Sequence, residues 1–431
     1  MTATATREST WNEPDPDDLD PDEALDRAAS GLVRLGLIVG LIVASSIVFH
    51  VGGAVVVIAA ILLMIMLHEF GHFVTARWAG MRVTDFFVGF GPTIWSVKRG
   101  DTRYGVKALP FGGFVRVIGM NNLEEVAPED EPYTYRAKSY WQRVRFACAG
   151  TFTHFLIAFV LMVVLLAAFG RVSDSTQPTR VIDDVAPSLT TDGAASPAAK
   201  AGLKAGDTLL AVNGVTTKTW DDATDIIQSS MGKPIVLTIE RDGRRNGVTV
   251  TPIENPAKPG VGMIGVAPTF PATKLGVPAA MWHAGFEIKD LSKATLGSLV
   301  GMFSKSSITS YSKQLGESGP ADPASEGNRF LSPVGLANLA GNTASQGIEA
   351  VLILLILLNI FVGIFNMIPL PPFDGGHVAV ATYEAIRSRR GKRYTADMNK
   401  LLPVAYGVIM LLVFISVSAL WLDIVHPFKL G

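Results

Sequence analysis

Cysteine is almost missing from this chain: Cys148 is the single one in 431 residues. One thiol cannot close an internal disulfide, so any exported part must fold without one. Cys148 lies in an apolar run and reads as a small buried hydrophobe. Charge is scarce as well. Charged residues make up 17% of the sequence, against roughly a quarter in soluble domains. The net charge is −1, and no concentrated Lys/Arg patch stands out, which excludes the electrostatic footprint of a nucleic-acid-binding protein. A cleavable leader is not expected either. Residues 1–30 are polar and acidic (Glu13, Asp15, Asp17, Asp18, Asp20, Asp22, Glu23), where a signal peptide needs a basic start followed at once by an apolar core. The composition of this tail predicts disorder.

What the chain does have is apolar length. Hydrophobic residues make up 48% and the mean hydropathy is +0.34, which indicates a membrane protein. Four segments suit a hydrocarbon core about 30 Å thick, which takes about twenty residues of helix: 54–78, 146–170, 348–376 and 399–424. A further apolar stretch covers 31–49. One continuous helix through it would overshoot the core, and Gly52-Gly53 read as a tight turn, so a separate additional span is favoured. Basic residues set orientation. Arg77, Arg82, Lys98, Arg99, Arg103 and Lys107 follow the first main span, and Arg387, Arg389, Arg390, Lys392 and Arg393 lie between the last two. Both groups are expected in the cytoplasm, which leaves the region 171–342 outside.

Chemistry enters at His68-Glu69-Phe70-Gly71-His72. Residues four apart share a helix face, so both imidazoles can point at one ion. Glu69 stands beside them, where a carboxylate can take a proton from an activated water. Two imidazoles and one carboxylate suit Zn2+, with a fourth position left to water. Ionisable side chains inside a span are costly and are usually functional. The third ligand has a candidate in Asp374, within Asn366-Met367-Ile368-Pro369-Leu370-Pro371-Pro372-Phe373-Asp374-Gly375-Gly376. This segment begins as a span and is broken by prolines and glycines. Unwound backbone at that depth survives only beside protein or a polar cavity. Asp374 alone could equally cap the helix that follows.

With these motifs on the page, the chain resembles the site-2 protease family of intramembrane metalloproteases, and more closely the bacterial proteases that cleave anti-sigma factors. Phe87-Val88-Gly89-Phe90-Gly91-Pro92 and Leu109-Pro110-Phe111-Gly112-Gly113-Phe114-Val115-Arg116 add to the resemblance, which covers 47–428. It implies that His68, His72 and Asp374 are zinc ligands, that Glu69 is the general base, and that Asn366 holds substrate or the transition-state oxygen. Read from its own chemistry, Asn366 is either an oxyanion donor or a helix-to-helix hydrogen bonder. One departure stands out. The family's second span often opens Gly-Pro-x-x-Asn, and here Gly150-Thr151-Phe152-Thr153-His154 takes its place. His154 is either a hydrogen-bond donor to substrate or ligand, or a buried structural histidine. His377 has no second feature to mark it as a ligand, and His50, His283 and His426 read as loop or interface residues.

The resemblance also implies the architecture: a polytopic α-helical membrane protein with a membrane-associated β segment and an extracytoplasmic PDZ domain. Residues 81–118 are rich in Val, Phe and Gly and read as short strands. Their edge could hold an extended substrate, or they could be a plain hairpin. The run PAAKAGLKAGDTLLAVNG from Pro197 to Gly214 resembles the core signature of bacterial PDZ domains, placed here at 179–268. Asn213-Gly214 and Asp242-Gly243 read as hairpin turns. Residues 269–342 link it to the third span. The expected activity is zinc-dependent endoproteolysis of membrane-spanning proteins, such as anti-sigma factors or signal-peptide remnants, in the lipid bilayer of the bacterial cell membrane. A non-catalytic metal-binding scaffold would need the ligands but no base, which the intact Glu69 argues against. A transporter would show paired broken helices, where one proline-broken segment is seen.

Overall fold

The computed structural model describes residues 21–48, 52–120, 124–172, 177–189, 194–255, 258–316, 332–388 and 394–425. Most of the acidic tail, His50, His426, the Gly/Pro/Ser-rich loop at 317–327 and the basic residues 389–393 fall outside the described residues. Among the described residues five helices are long and apolar enough to cross a membrane. The chain divides into two compact units, residues 1–161, 288–296 and 340–414, and residues 162–287, 297–339 and 415–431.

In the first unit, α1 (Pro21–Val48) contains the candidate span Ala29–Val48, and α2 (Gly52–Trp78) carries the HEFGH sequence. Val55-Val56-Val57-Ile58 near the start of α2 are β-branched and would favour a strand in water. In lipid a lone strand leaves its backbone unpaired, so a run this apolar becomes helix. Gly52 and Gly53 open α2 rather than forming a turn. Residues 49–51 lie outside the described residues. A methyl group at Gly53 would press on Ala344 Cβ at 2.5 Å, so this glycine serves close helix packing.

Two long strands follow, β1 (Val83–Arg99) and β2 (Thr102–Val117), joined at Gly100-Asp101. Each bends back on itself. Residues 85–88 pair with 113–116 on one side and with 103–106 on the other, while 93–99 pairs with 102–107. Two strands thus make a four-segment sheet. The bends fall at Gly89 and Gly112, whose φ of 84° and 113° only glycine adopts freely.

α3 (Tyr140–Ala168) begins six residues before the apolar run read as the span. Ser139 and Gln142 bond each other at its start. Its polar first turns hold Arg143, paired at 2.6 Å with Glu384, both side chains under 10% exposed. Glu384 also accepts the Ala396 N–H at 2.7 Å. A buried charge pair needs such extra bonds to offset desolvation. α8 (Pro333–Ser345), α9 (Ile348–Asn366), α10 (Asp374–Arg387) and α11 (Met398–Val425) complete the helices. The segment 348–376 is a helix that ends at Asn366, a break at 367–373 that holds the three prolines, and the start of a second helix at Asp374.

The second unit contains a small domain. Strands β4 (Thr208–Val212), β5 (Val215–Thr216), β6 (Ile235–Arg241) and β7 (Arg244–Val250) form one sheet in the order β5-β4-β6-β7. Asn213 and Asp242 have φ of 51° and 52° and are followed by glycines at 78° and 71°, the left-handed pairs that two-residue hairpins require. A short helix α4 (Pro197–Lys200) precedes the sheet, and helix α5 (Trp220–Ser229) opens on a capping box between Thr219 and Asp222. Leu209, Val212, Ile227, Ile235, Leu237 and Ile239 form its core. β3 (Ile182–Val185) pairs with β10 (Val266–Pro268), and β8 (Ile253–Asn255) with β9 (Lys258–Met263). The stretch 269–342, read from the sequence as a linker, carries α6 (Val277–Met302), α7 (Lys305–Gly316) and the start of α8.

Candidate metal centre

The site is built where α2, α3, α9 and α10 meet. His68 and His72 lie one turn apart on α2, buried at 7% and 5% exposure. Their Nε2 atoms are 3.2 Å apart. Asp374 arrives from the first residue of α10. Phe373 is the N-cap of that helix and no side chain caps it. The Asp374 carboxylate turns instead to the imidazoles, with Oδ2 3.2 Å from His72 Nε2 and 3.4 Å from His68 Nε2. The sharp return of residues 367–373 that delivers Asp374 depends on Gly375 and Gly376. A methyl group at either would overlap the backbone of 367–371.

Three donors converge, and among the described residues they form the one cluster of His, Cys, Asp or Glu side chains suited to a metal ion. Zinc held tetrahedrally at about 2.0–2.2 Å keeps its ligand atoms roughly 3.3–3.6 Å apart. The separation of 3.4 Å falls in that range and the two of 3.2 Å lie about 0.1 Å below it. The tautomer fits too. His72 Nδ1–H donates to the Phe146 carbonyl at 2.8 Å, which leaves the Nε2 lone pair directed at the centre. The donor set therefore fits zinc.

Glu69 is half-buried beside this cluster. Its Cγ lies against Gly113 of β2. Glu69 thus sits beside the β2 edge. Residues 113–117 pair only with β1 among the described residues, so their other edge has no strand partner.

Small residues let the helices close on the site. A methyl group at Gly71 would sit 2.5 Å from Thr153 Oγ1 and 3.0 Å from the Ala149 carbonyl, and one at Gly150 would overlap the His68 imidazole. Asn366 ends α9, half-buried, immediately before the loop leading to Asp374. His377 lies within α10 against Tyr135, with ring centroids 5.8 Å apart, and is outside the three-donor cluster. His154 is 1% exposed, and its Nδ1–H donates to Asn359 Oδ1 at 3.0 Å. The sequence reading missed Asn359 and the Phe146 carbonyl, and named Gly150 only as part of a motif. Asn359 had a visible signal, a lone amide within Val351-Leu352-Ile353-Leu354-Leu355-Ile356-Leu357-Leu358-Asn359-Ile360. The Phe146 backbone group carries none.

Two imidazoles, a carboxylate and a neighbouring acid, set among membrane-spanning helices, define a metal-dependent hydrolase working inside the bilayer. The model of peptidase family M50 matches residues 56–413, and the chain belongs to that family. The zinc metalloprotease Rip1 of Mycolicibacterium smegmatis is 34% identical over 411 residues, covering 88% of this chain and 98% of that protein. Rip1 of Mycobacterium tuberculosis is 33% identical over 410 residues, covering 88% and 99%. A solved PDZ domain of an SdrC-like protein from Listeria monocytogenes matches at 20% identity and a TM-score of 0.17, covering 23% of this chain and 93% of that one. The protein is an intramembrane metalloendopeptidase with zinc as its cofactor.

Proposed function

We propose that His68, His72 and Asp374 hold the zinc, that Glu69 is the general base, and that the substrates are single-pass membrane proteins already shortened outside by another protease. The convergence of two Nε2 atoms and one Oδ2 within 3.4 Å of one another carries the ligand assignment. Zinc bound there supplies Lewis acidity, polarising the scissile carbonyl and bringing the pKa of a water towards about 7. Glu69, beside the β2 edge at Gly113, takes a proton from the attacking water onto its carboxylate and passes it to the leaving amide nitrogen. Phe146 holds His72 in the tautomer that leaves Nε2 free. Asn366, at the mouth of the 367–373 loop, donates its amide to the developing oxyanion.

A substrate helix hides its carbonyls and must be unwound to be cut. The unpaired edge of 113–117 beside Glu69 supports an extended substrate segment added there as a strand. The basic residues Arg77, Arg82, Lys98, Arg99, Arg103 and Lys107 support a cytoplasmic position for this end of α2. On that orientation, in the cell membrane of a bacterium, the domain at 179–268 is extracytoplasmic. Its sequence signature supports a PDZ domain that screens exterior bulk, and anti-sigma factors or signal-peptide remnants are the expected substrates.

The test is cleavage of a tagged single-pass stub by the purified, reconstituted protein. Wild type cuts. Glu69→Gln, with its zinc retained, falls by about 10²–10⁴-fold, and a chelated sample does not cut. Undiminished cutting by Glu69→Gln overturns the assignment of the base.

A further inference from the structure

The two histidines of the HEFGH helix are held in different ways. His72 is oriented by a hydrogen bond from Nδ1–H to the Phe146 carbonyl, the usual means of fixing a metal-binding imidazole. His68 has no such bond. Its Nδ1 is buried against the Gly150 backbone without closing a well-formed hydrogen bond. An imidazole without that anchor can rotate about its Cβ–Cγ bond, and rotation carries Nε2 off the metal axis.

Rings and backbone surround it instead. The His72 imidazole meets its edge at a centroid distance of 4.8 Å and 73°. Gly150 closes one side with no room for a methyl group. The His154 imidazole lies against it at 4.8 Å and 41°. His154 is itself fixed at several points. Its Nδ1–H donates to Asn359 Oδ1 at 3.0 Å, and the Asn359 amide donates to the Leu355 carbonyl at 2.8 Å. These two bonds set both the amide and the tautomer. Gly363, one turn along α9 from Asn359, presses on His154 Cβ, where a methyl group would come to 3.3 Å. Both His154 and Asn359 are 1% exposed. A polar pair buried this deeply in a membrane-spanning bundle is expensive unless it serves a site.

We infer that His154, locked by Asn359, is a positioning residue that walls the His68 imidazole into its metal-binding rotamer. The inference rests on His68 being a zinc ligand. The work is done by a flat, rigid face rather than by a proton or a lone pair, and His154 is outside the three-donor cluster. An asparagine at 154 would offer no such face.

The experiment is a chelator-competition titration of zinc on the purified full-length chain, with the unfolding temperature of the zinc-free form measured for each variant. His68→Ala reports on the site itself and loses tight zinc binding. His154→Ala binds zinc about 10–100-fold more weakly, the range seen when an outer partner of a metal ligand is removed. Asn359→Leu, which frees the His154 ring to turn, gives a smaller loss in the same direction and serves if His154→Ala does not fold. The double variant His154→Phe with Asn359→Leu restores a flat face without a buried unpaired amide, and binds zinc within about threefold of wild type. Wild-type zinc affinity in both His154→Ala and Asn359→Leu, with affinity lost in His68→Ala, overturns the inference while leaving the metal site standing. A double variant as weak as His154→Ala also overturns it, because the face would then not be what matters. Wild-type affinity in His68→Ala overturns the ligand reading and the inference with it.

Discussion

The helical unit and the small sheet domain are built inside out from one another. In the sheet domain, Leu209, Leu237 and Ile239 are at most 1% exposed, and the one buried carboxylate, Asp207, is paired with Arg241. In the helical unit, Leu37 and Leu41 are each 69% exposed, Val56 62% and Met410 64%, while His68, His72, His154 and Asn359 are buried. Lipid makes the exposed leucines harmless and offers no hydrogen bonds, so polar groups collect inside and must satisfy one another. In one region the core supplies stability and the surface is free to vary. In the other the core is where the chemistry is, and stability comes from close helix contact at Gly53, Gly71, Gly150 and Gly363.

This contrast can be pressed from both sides. Gly150→Ala should have the largest effect. Its methyl group overlaps the His68 imidazole, and a displacement of about 1 Å in such a site costs on the order of 100-fold in rate. Cleavage of the reconstituted stub and zinc content should fall together, and an active Gly150→Ala would mean that the helices are not pressed on the site as described. Leu237→Ala should cost about 2–5 kcal/mol in the sheet domain, read as lost hydrogen-exchange protection of β6. Zinc affinity should be unchanged, and a loss of zinc would break the separation between the two kinds of core.

The smallest effect is a pH dependence of the sheet domain. Asp207 bonds Arg241 at 2.6 and 2.7 Å and the Lys204 N–H at 2.9 Å. Burial alone would raise its carboxyl, but Arg241 and the backbone N–H outweigh it and hold Asp207 below the ordinary carboxylate value. The unfolded chain therefore takes up the proton first, near pH 4. The contribution is complete above about pH 5 and is lost as pH falls through 4 and below. Hydrogen exchange of β4 and β6 between pH 6 and 3 should show that decline, and Asp207→Asn should flatten it.

Parts of this organisation were legible because their physics is local. The hairpin turns are written in Asn213-Gly214 and Asp242-Gly243, and the i, i+4 pair His68 and His72 shares a face wherever a helix forms. What stayed hidden is non-local. Phe146 acts through its carbonyl, and no side-chain pattern encodes that. The start of α3 was placed too late because an apolar window discards Tyr140-Trp141-Gln142-Arg143, whose Arg143 is buried only because Glu384 reaches it from α10. The glycines at 52 and 53 suggested a turn, since sequence alone does not separate a glycine that bends the chain from one that admits a neighbouring helix. Asn359 was visible as an amide among aliphatic residues, and its partner His154 was noticed only as a departure from a family pattern.

The most direct test of the account is zinc X-ray absorption on the purified protein and on Asp374→Ala. The account predicts a first shell of nitrogen and oxygen at about 2.0–2.2 Å, two imidazoles in wild type, no sulfur, and a shell altered or emptied in Asp374→Ala. A sulfur scatterer, or an identical spectrum from Asp374→Ala, would contradict it.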